Sequence, residues 1–230
     1  MVDQPVQPTP GRPYAGRVAT EIRPQIRPAS AADGPAIGRV RRESWFAAYA
    51  GIIDAALIAR ATAAWATGEE PPPYRSTFVA VAPEEQAAAG GAAVAGPRVV
   101  VGYAAFGPER TVASARLPGR TVTGGDGQPA GSGLPPAGPI TPAGLAGETG
   151  ELYAMYLAPA WWSAGVGRAL MAAVLSELRA VGYRRAVLWT LTGNARARRF
   201  YDRAGFAPDG ATNLLISLGR VEELRYVRDL

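Results

Sequence analysis

The chain of 230 residues contains no cysteine and no histidine, and it contains no lysine: all 24 of its basic residues are arginine. Without cysteine there is no disulfide, no thiolate nucleophile and no CxxC redox pair. Without histidine, Ser-His-Asp triads and imidazole metal sites are excluded. Without lysine there is no internal Schiff base and no phosphate-loop lysine. Acid–base chemistry is left to carboxylates, tyrosine, backbone groups and bound water. Long apolar runs are also missing. The most apolar stretch, 45–59, is interrupted by Asp54 and is too short to span a bilayer, so no membrane association is expected. No charged segment followed by an apolar one opens the sequence, which reads as cytoplasmic. Basic residues never run beyond the pairs Arg41-Arg42, Arg184-Arg185 and Arg198-Arg199. A net charge of +5 with no polybasic arm reads as a solvated basic surface, not as a nucleic-acid site.

Glycine (28) and proline (21) are abundant but local. They gather in 1–20, in 83–97 and in 107–148. The first reads as a disordered leader and the other two as flexible insertions. Roughly 150 residues remain, enough for a single compact domain from 21 to 230.

That domain reads as mixed α/β. Gln25–Pro28 is a short strand. Ser30 and Asp33 form a capping box that opens a helix to about Tyr49. A second helix is expected from Asp54 to Thr67. Runs 77–81 and 99–106 alternate as adjacent antiparallel strands. Glu151–Leu157 is a strand closed by Ala158-Pro159. A helix follows with apolar positions Val166, Leu170, Met171, Val174, Leu175, Leu178 and Val181, stopped by Gly182. Ala186–Thr190 is a buried strand, and strand–helix–strand in this span makes a parallel unit. Asn194 opens another helix, and Phe206 and 224–227 supply closing strands. The terminal strands offer an edge through which two copies could pair as a homodimer.

Two segments carry chemistry. Trp162-Ser163-Ala164-Gly165-Val166-Gly167 lies between a strand end and a helix start. Glycines let a ligand approach the backbone, and a helix N-terminus presents free N–H groups with a positive dipole end, which suits a pyrophosphate. A dinucleotide fingerprint is not completed, because Leu170 stands where its third glycine belongs. In the second segment, Asn194, Ala197 and Tyr201 share one helical stripe. Arg196, Arg199 and Arg203 read as a solvated face, one of which could reach a phosphate.

Together, the strand Glu151–Leu157, the loop 162–167 and the segment 194–206 resemble the GNAT superfamily of acyl-CoA-dependent N-acetyltransferases. The helix pair with Trp45 and Tyr49 is similar to the front of one of its branches. The resemblance implies a mostly antiparallel central sheet with flanking helices and a splayed parallel strand pair that admits acetyl-CoA. It implies that backbone groups of Met155, Tyr156 and Leu157 hold the pantetheine arm. Ser163, Ala164, Gly165, Val166, Gly167 and Arg168 would take the pyrophosphate. Asn194 and Ala197 would line the arm, and Tyr201 would point at the thioester sulfur. The superfamily loop begins with Gln or Arg; here Trp162 stands there, and Ala164 replaces a common basic residue.

The reaction sets its own demands. A primary amine with a pKa near 10.4 costs about 4 kcal/mol to deprotonate at neutral pH. Glu151, placed at the mouth of its strand, is the expected proton acceptor, directly or through water, with Glu148 as second choice. The N–H of Leu157 is placed by the resemblance to meet the oxyanion. Tyr201 is the expected donor to the leaving thiolate. Without cysteine there is no acyl-cysteine relay, so direct transfer to a small-molecule or peptide amine in a ternary complex is expected. Trp45 and Tyr49 are expected to line the amine pocket. A non-catalytic acyl-CoA sensor on the same fold, and a basic nucleic-acid module, are the competing readings.

Overall fold

The computed structural model describes residues 24–63, 75–83, 98–110 and 148–230. The expected leader 1–20 lies outside the described residues, as do 64–67 of the second helix and most of both insertions.

The chain forms one seven-stranded sheet in the order β1-β2-β3-β4-β5-β7-β6. The strands are β1 (Gln25–Pro28), β2 (Ser76–Pro83), β3 (Arg98–Pro108), β4 (Thr149–Leu157), β5 (Arg185–Leu191), β6 (Ala207–Leu215) and β7 (Val221–Asp229). Every neighbouring pair is antiparallel except β4 with β5. The terminal strands therefore pair within their own chain, β7 lying between β5 and β6. Gly107 and Pro108, expected in the insertion, belong to β3. Their partners Glu151 and Gly150 supply the ladder that local sequence does not advertise.

Among the described residues, four helices cover the sheet: α1 (Gly34–Tyr49), α2 (Ala55–Ala63), α3 (Val166–Val181) and α4 (Ala195–Arg203). The capping box forms at the start of α1, where Asp33 accepts from the Ser30 N–H at 2.7 Å. Asp33 also takes both arms of the Arg27 guanidinium, at 2.7 and 2.8 Å. That fork holds the Asp33 carboxyl well below the usual carboxylate range despite its burial. The apolar stripe of α3 is buried from Val166 through Leu178, but its last expected member, Val181, is exposed at the end of the helix.

The two large helices lie on opposite faces. A side chain at Gly102 would strike Leu170 of α3, whereas the next residue, Tyr103, stacks on Tyr156, which itself meets Trp45 of α1. Successive strand residues point to opposite faces, so α3 covers one side and α1 the other. No helix among the described residues is long and apolar enough to cross a membrane.

Candidate active site

The parallel pair β4/β5 is closed at one end only. Thr149 to Leu152 pair with Arg185 to Leu188, and no ladder continues beyond them, although β4 runs on to Leu157 and β5 to Leu191. Residues 149–152 are mostly buried, while 153–157 are all half-buried. Their backbone groups on the β5 side have no strand partner, which leaves a wedge that a ligand can enter with strand-like hydrogen bonds.

A bulge sets which side chains face the wedge. Ala105 pairs with Ala154 but Phe106 pairs with Leu152, so Tyr153 is the extra residue of β4. The alternation restarts there. Leu152, Met155 and Leu157 face α3, while Glu151, Ala154 and Tyr156 face α1. The Tyr153 hydroxyl donates to the Pro108 carbonyl at 2.5 Å and fixes the bulge.

At the far end of β4 the chain turns through the glycine loop into α3. Gly165, the N-cap of α3, has φ +84°, a left-handed conformation that disfavours any side chain. A Cβ on Gly167 would lie 3.3 Å from the Phe200 ring, so the small residue lets α3 pack against α4. Ser163 is also left-handed, φ +66°. Trp162 is not idle. Its indole Nε1 donates to the Leu157 carbonyl at 3.0 Å, so one of the expected backbone acceptors is already engaged. Its ring lies beneath the Arg196 guanidinium at 4.4 Å, and Arg196 reaches the Ser163 hydroxyl at 3.1 Å. Arg196 therefore supplies, from α4, a positive charge over the loop that the loop itself lacks. Arg168 is exposed beside Gly165, whose Cβ would lie 3.6 Å from the Arg168 guanidinium. Arg199 and Arg203 are exposed.

Asn194 caps α4, its side-chain oxygen accepting from the Ala197 N–H at 3.1 Å. One turn on, Tyr201 is 8% exposed, packed against Phe200, Phe206 and Tyr226 and close enough to Tyr156 and Tyr49 to interact electrostatically. Burial, reinforced by Tyr156, pushes its phenol well above the ordinary tyrosine value, so it holds its proton throughout the physiological range.

The opposite wall belongs to α1. Trp45 is buried and meets Tyr49 edge-on at 4.9 Å, and the Tyr49 hydroxyl is 3.4 Å from that of Tyr156. Burial first, then Tyr156, raises the Tyr49 phenol well above its usual value. Trp45 also packs with Ile53, Ile58 and Leu191 in a second apolar cluster, so it is core and wall at once.

Glu151 is placed differently from the sequence expectation. It is not at a solvent-facing mouth but fully buried, because the described start of the second insertion folds over it. The Arg110 guanidinium contacts it at 2.5 Å, and the Arg110 N–H donates to it at 2.8 Å. Arg110 in turn lies over the Tyr153 ring at 4.4 Å. Glu148 stands at the closed end of the strand pair, exposed, 4.0 Å from Arg184, away from the wedge. Glu43 is exposed on α1 with Arg39.

A second carboxylate, not singled out by sequence, shares the face of Glu151. Val187 pairs with Glu151, and Leu191 of the same strand pairs with Glu223 of β7. Positions 187, 189 and 191 lie on one face, so Glu223 joins Glu151 and Tyr156. Asn213 Nδ2 donates to Glu223 at 2.8 Å. Burial raises the Glu223 carboxyl above the usual range, against the opposing pull of Asn213 and Arg110. Nothing local marks Glu223 in a run of charged strand residues; only the pairing register brings it here.

Comparison with known proteins agrees with this geometry. The model of the Acetyltransferase (GNAT) family matches residues 59–206. A mycothiol acetyltransferase from Beutenbergia cavernae is 43% identical over 60 residues, covering 26% of this chain and 20% of that protein. One from Parafrankia sp. is 41% identical over 71 residues, 31% of this chain and 22% of that protein. The chain thus spans about a fifth of the length of the curated relatives it matches. The crystal structure of PaiA N-acetyltransferase from Thermoplasma acidophilum in complex with coenzyme A superposes with a TM-score of 0.59. It is 15% identical and covers 91% of this chain and 100% of that one, a likeness of fold. With the family model matched over more than half its length, the chain belongs to the GNAT family of acetyltransferases.

Proposed function

We propose that this protein transfers an acetyl group from acetyl-CoA, the acyl donor of its family, to an amine by direct attack. The observation that carries the reading is the wedge: β4 leaves β5 after Leu152, and Tyr201 stands buried beside Tyr156 at that opening. The residues present fit the donor. The backbone of 153–157 that β5 leaves without a strand partner, apart from the Leu157 carbonyl held by Trp162, suits an amide-bearing arm, and the first turn of α3 suits a pyrophosphate. Gly165 keeps that turn open to close approach, and Arg196 and Arg168 add charge. Asn194 and Ala197 line the arm. When bound, acetyl-CoA supplies an activated thioester.

The chain's own groups then divide the work. The N–H of Leu157 faces the developing oxyanion. Tyr201, neutral because it is buried, donates its proton to the departing sulfur. Trp45 and Tyr49 wall the acceptor. The acceptor's proton leaves through the carboxylates of the α1 face. Glu151 is held in place by Arg110, whose guanidinium already balances it, so it orders the α1 face and is not the group offered to the acceptor. Glu223, bonded to an amide and not to a guanidinium among the described residues, is the carboxylate placed to accept the proton, directly or through water.

The test is a broad amine screen with thiol release as readout, spanning amino acids, polyamines, aminoglycosides and peptide N-termini. Turnover with at least one amine is expected. Binding of CoA without turnover on any amine would replace this reading with that of an acyl-CoA sensor.

A further inference from the structure

The α1 face holds polar groups that the transfer chemistry leaves unused. Tyr103 of β3 is 1% exposed, and its hydroxyl is buried with no hydrogen-bond partner. A buried hydroxyl left unpaired costs about 1–3 kcal/mol, so such groups are rare unless something else satisfies them. The same holds for Nε of Arg75, at the foot of β2, which is buried without a partner. Among the described residues, the groups that act on Arg75 electrostatically are Tyr103, Arg41, Arg110 and Tyr153, and no carboxylate is among them. The carboxylates nearby are engaged elsewhere, Glu151 by Arg110 and Glu223 by Asn213. Burial first, then Arg41 and Arg110, pull the Arg75 guanidinium below its usual value, against the opposing pull of Tyr103 and Tyr153.

These groups adjoin the acceptor wall. Tyr103 stacks on Tyr156 at 5.8 Å, and Tyr156 reaches Tyr49 at 3.4 Å and lies near Tyr201. The path from Arg75 to Tyr201 thus runs across the rings that line the acceptor pocket. At one end is a cation with an unpaired hydroxyl; at the other are the phenol of Tyr201 and the carboxylate of Glu223.

We propose that the acceptor is an amine that also carries a carboxylate, which the guanidinium of Arg75 and the hydroxyl of Tyr103 bind while the amine lies toward Tyr201 and Glu223. The inference rests on the acetyl-transfer reading and narrows its substrate to amino-acid-like molecules. A guanidinium and one hydroxyl match the two oxygens of a carboxylate. A plain polyamine would leave both unpaired and would add positive charge beside Arg75.

The experiment is a matched acceptor panel assayed by thiol release with the full chain. It contains the proteinogenic amino acids, each with its amide and its decarboxylated amine, together with phosphoethanolamine, spermidine, an aminoglycoside and a tripeptide amide. The best amino acid is expected to exceed its amide about tenfold or more in kcat/KM. Arg75→Gln, and separately the near-isosteric Tyr103→Phe, should raise KM for the acid and leave the amide unchanged, so that the ratio collapses. Equal use of acid and amide, a preference for phosphoethanolamine, or turnover confined to spermidine, the aminoglycoside or the tripeptide amide overturns the carboxylate site while the acetyl-transfer reading stands. A loss of kcat in Arg75→Gln that is the same for acid and amide also overturns it. Absence of turnover on the whole panel, with CoA still bound, removes the acetyl-transfer reading and this inference with it.

Discussion

The two walls of the wedge are made of different material. On the donor side the working parts are backbone: an unladdered strand end, a left-handed glycine and the first turn of a helix. On the proposed acceptor side they are side chains from four elements, α1, β3, β4 and β7, and from Arg75 just before β2, meeting on one face of the sheet. Backbone sites follow from local sequence, because a strand, a glycine turn and a helix start are contiguous. Side-chain sites depend on register, which one inserted residue changes. Had Tyr153 not bulged, Tyr156 and Glu151 would face opposite sides.

The sharpest way to break this contrast is to damage the backbone wall without touching its chemistry. Gly165→Val places a β-branched side chain at φ +84°, in the turn proposed to accept phosphate. Strain of about 1–2 kcal/mol falls on the turn, and CoA binding measured by calorimetry should weaken about a hundredfold or more. Unchanged affinity, with circular dichroism intact, would mean that the phosphates lie elsewhere. Tyr201→Phe comes next. It keeps the ring packed against Phe206 and Tyr226 and removes only the hydroxyl, so kcat should fall about a hundredfold while CoA affinity holds. If kcat is unmoved, the sulfur receives its proton from another source.

Where those two residues sit in the fold was legible in the sequence, and the reason is local. Gly165 lies between a strand and a helix four turns long, and Tyr201 is placed by the stripe it shares with Asn194 and Ala197. The capping box of Ser30 and Asp33, the αL stop at Gly182 and the pairing of the second and third strands were legible for the same reason. The burial of Glu151 was not. It depends on Arg110, 41 residues earlier, at the edge of an insertion whose composition hides it. Arg75, Tyr103 and Glu223 were missed because a lone arginine, a strand tyrosine and one glutamate among many have no spacing signature. In the sequence Trp162 shows only as a departure from the superfamily loop. Its partner Arg196, seen only as one arginine of a charged helix, comes from the far side of β5 and turns that position into a platform.

Glu223→Gln tests the side-chain wall. Its carboxyl must be ionised to accept a proton, and its folded pKa is raised by burial. Activity in the native enzyme should therefore fall as pH drops through a value above the ordinary glutamate range. In the variant that acid limb should vanish and kcat/KM should fall about tenfold or more. Stability moves the other way. A raised carboxyl binds its proton more tightly folded than unfolded, so its burial costs stability as pH rises from the unfolded to the folded value. Above that window the glutamine variant should melt no lower than the native chain. A persisting acid limb in Glu223→Gln would shift the proton-accepting role to Glu151, for which Glu151→Gln is the matching experiment.

The smallest expected effect lies where the two kinds of wall meet. Arg196 is a side chain that serves a backbone site: it stacks on Trp162 and bonds Ser163, whose own φ of +66° is unfavourable for a non-glycine residue. If its role is only to brace the turn, Arg196→Gln should lower the melting temperature and leave CoA binding independent of salt. If it lends charge to the pyrophosphate, CoA affinity should weaken about three- to tenfold at low ionic strength, with the difference shrinking as salt screens it. Both groups are exposed at the loop, so screening is strong and the effect modest. We expect the second outcome, because a phosphate site built from N–H groups and left-handed turns carries only partial charges. The guanidinium of Arg196 is a full charge already seated over its rim, and dephospho-CoA, which keeps the pyrophosphate but lacks the ribose phosphate, should show the same loss. A loss seen with CoA and absent with dephospho-CoA would move Arg196 from the pyrophosphate to the ribose end of the donor.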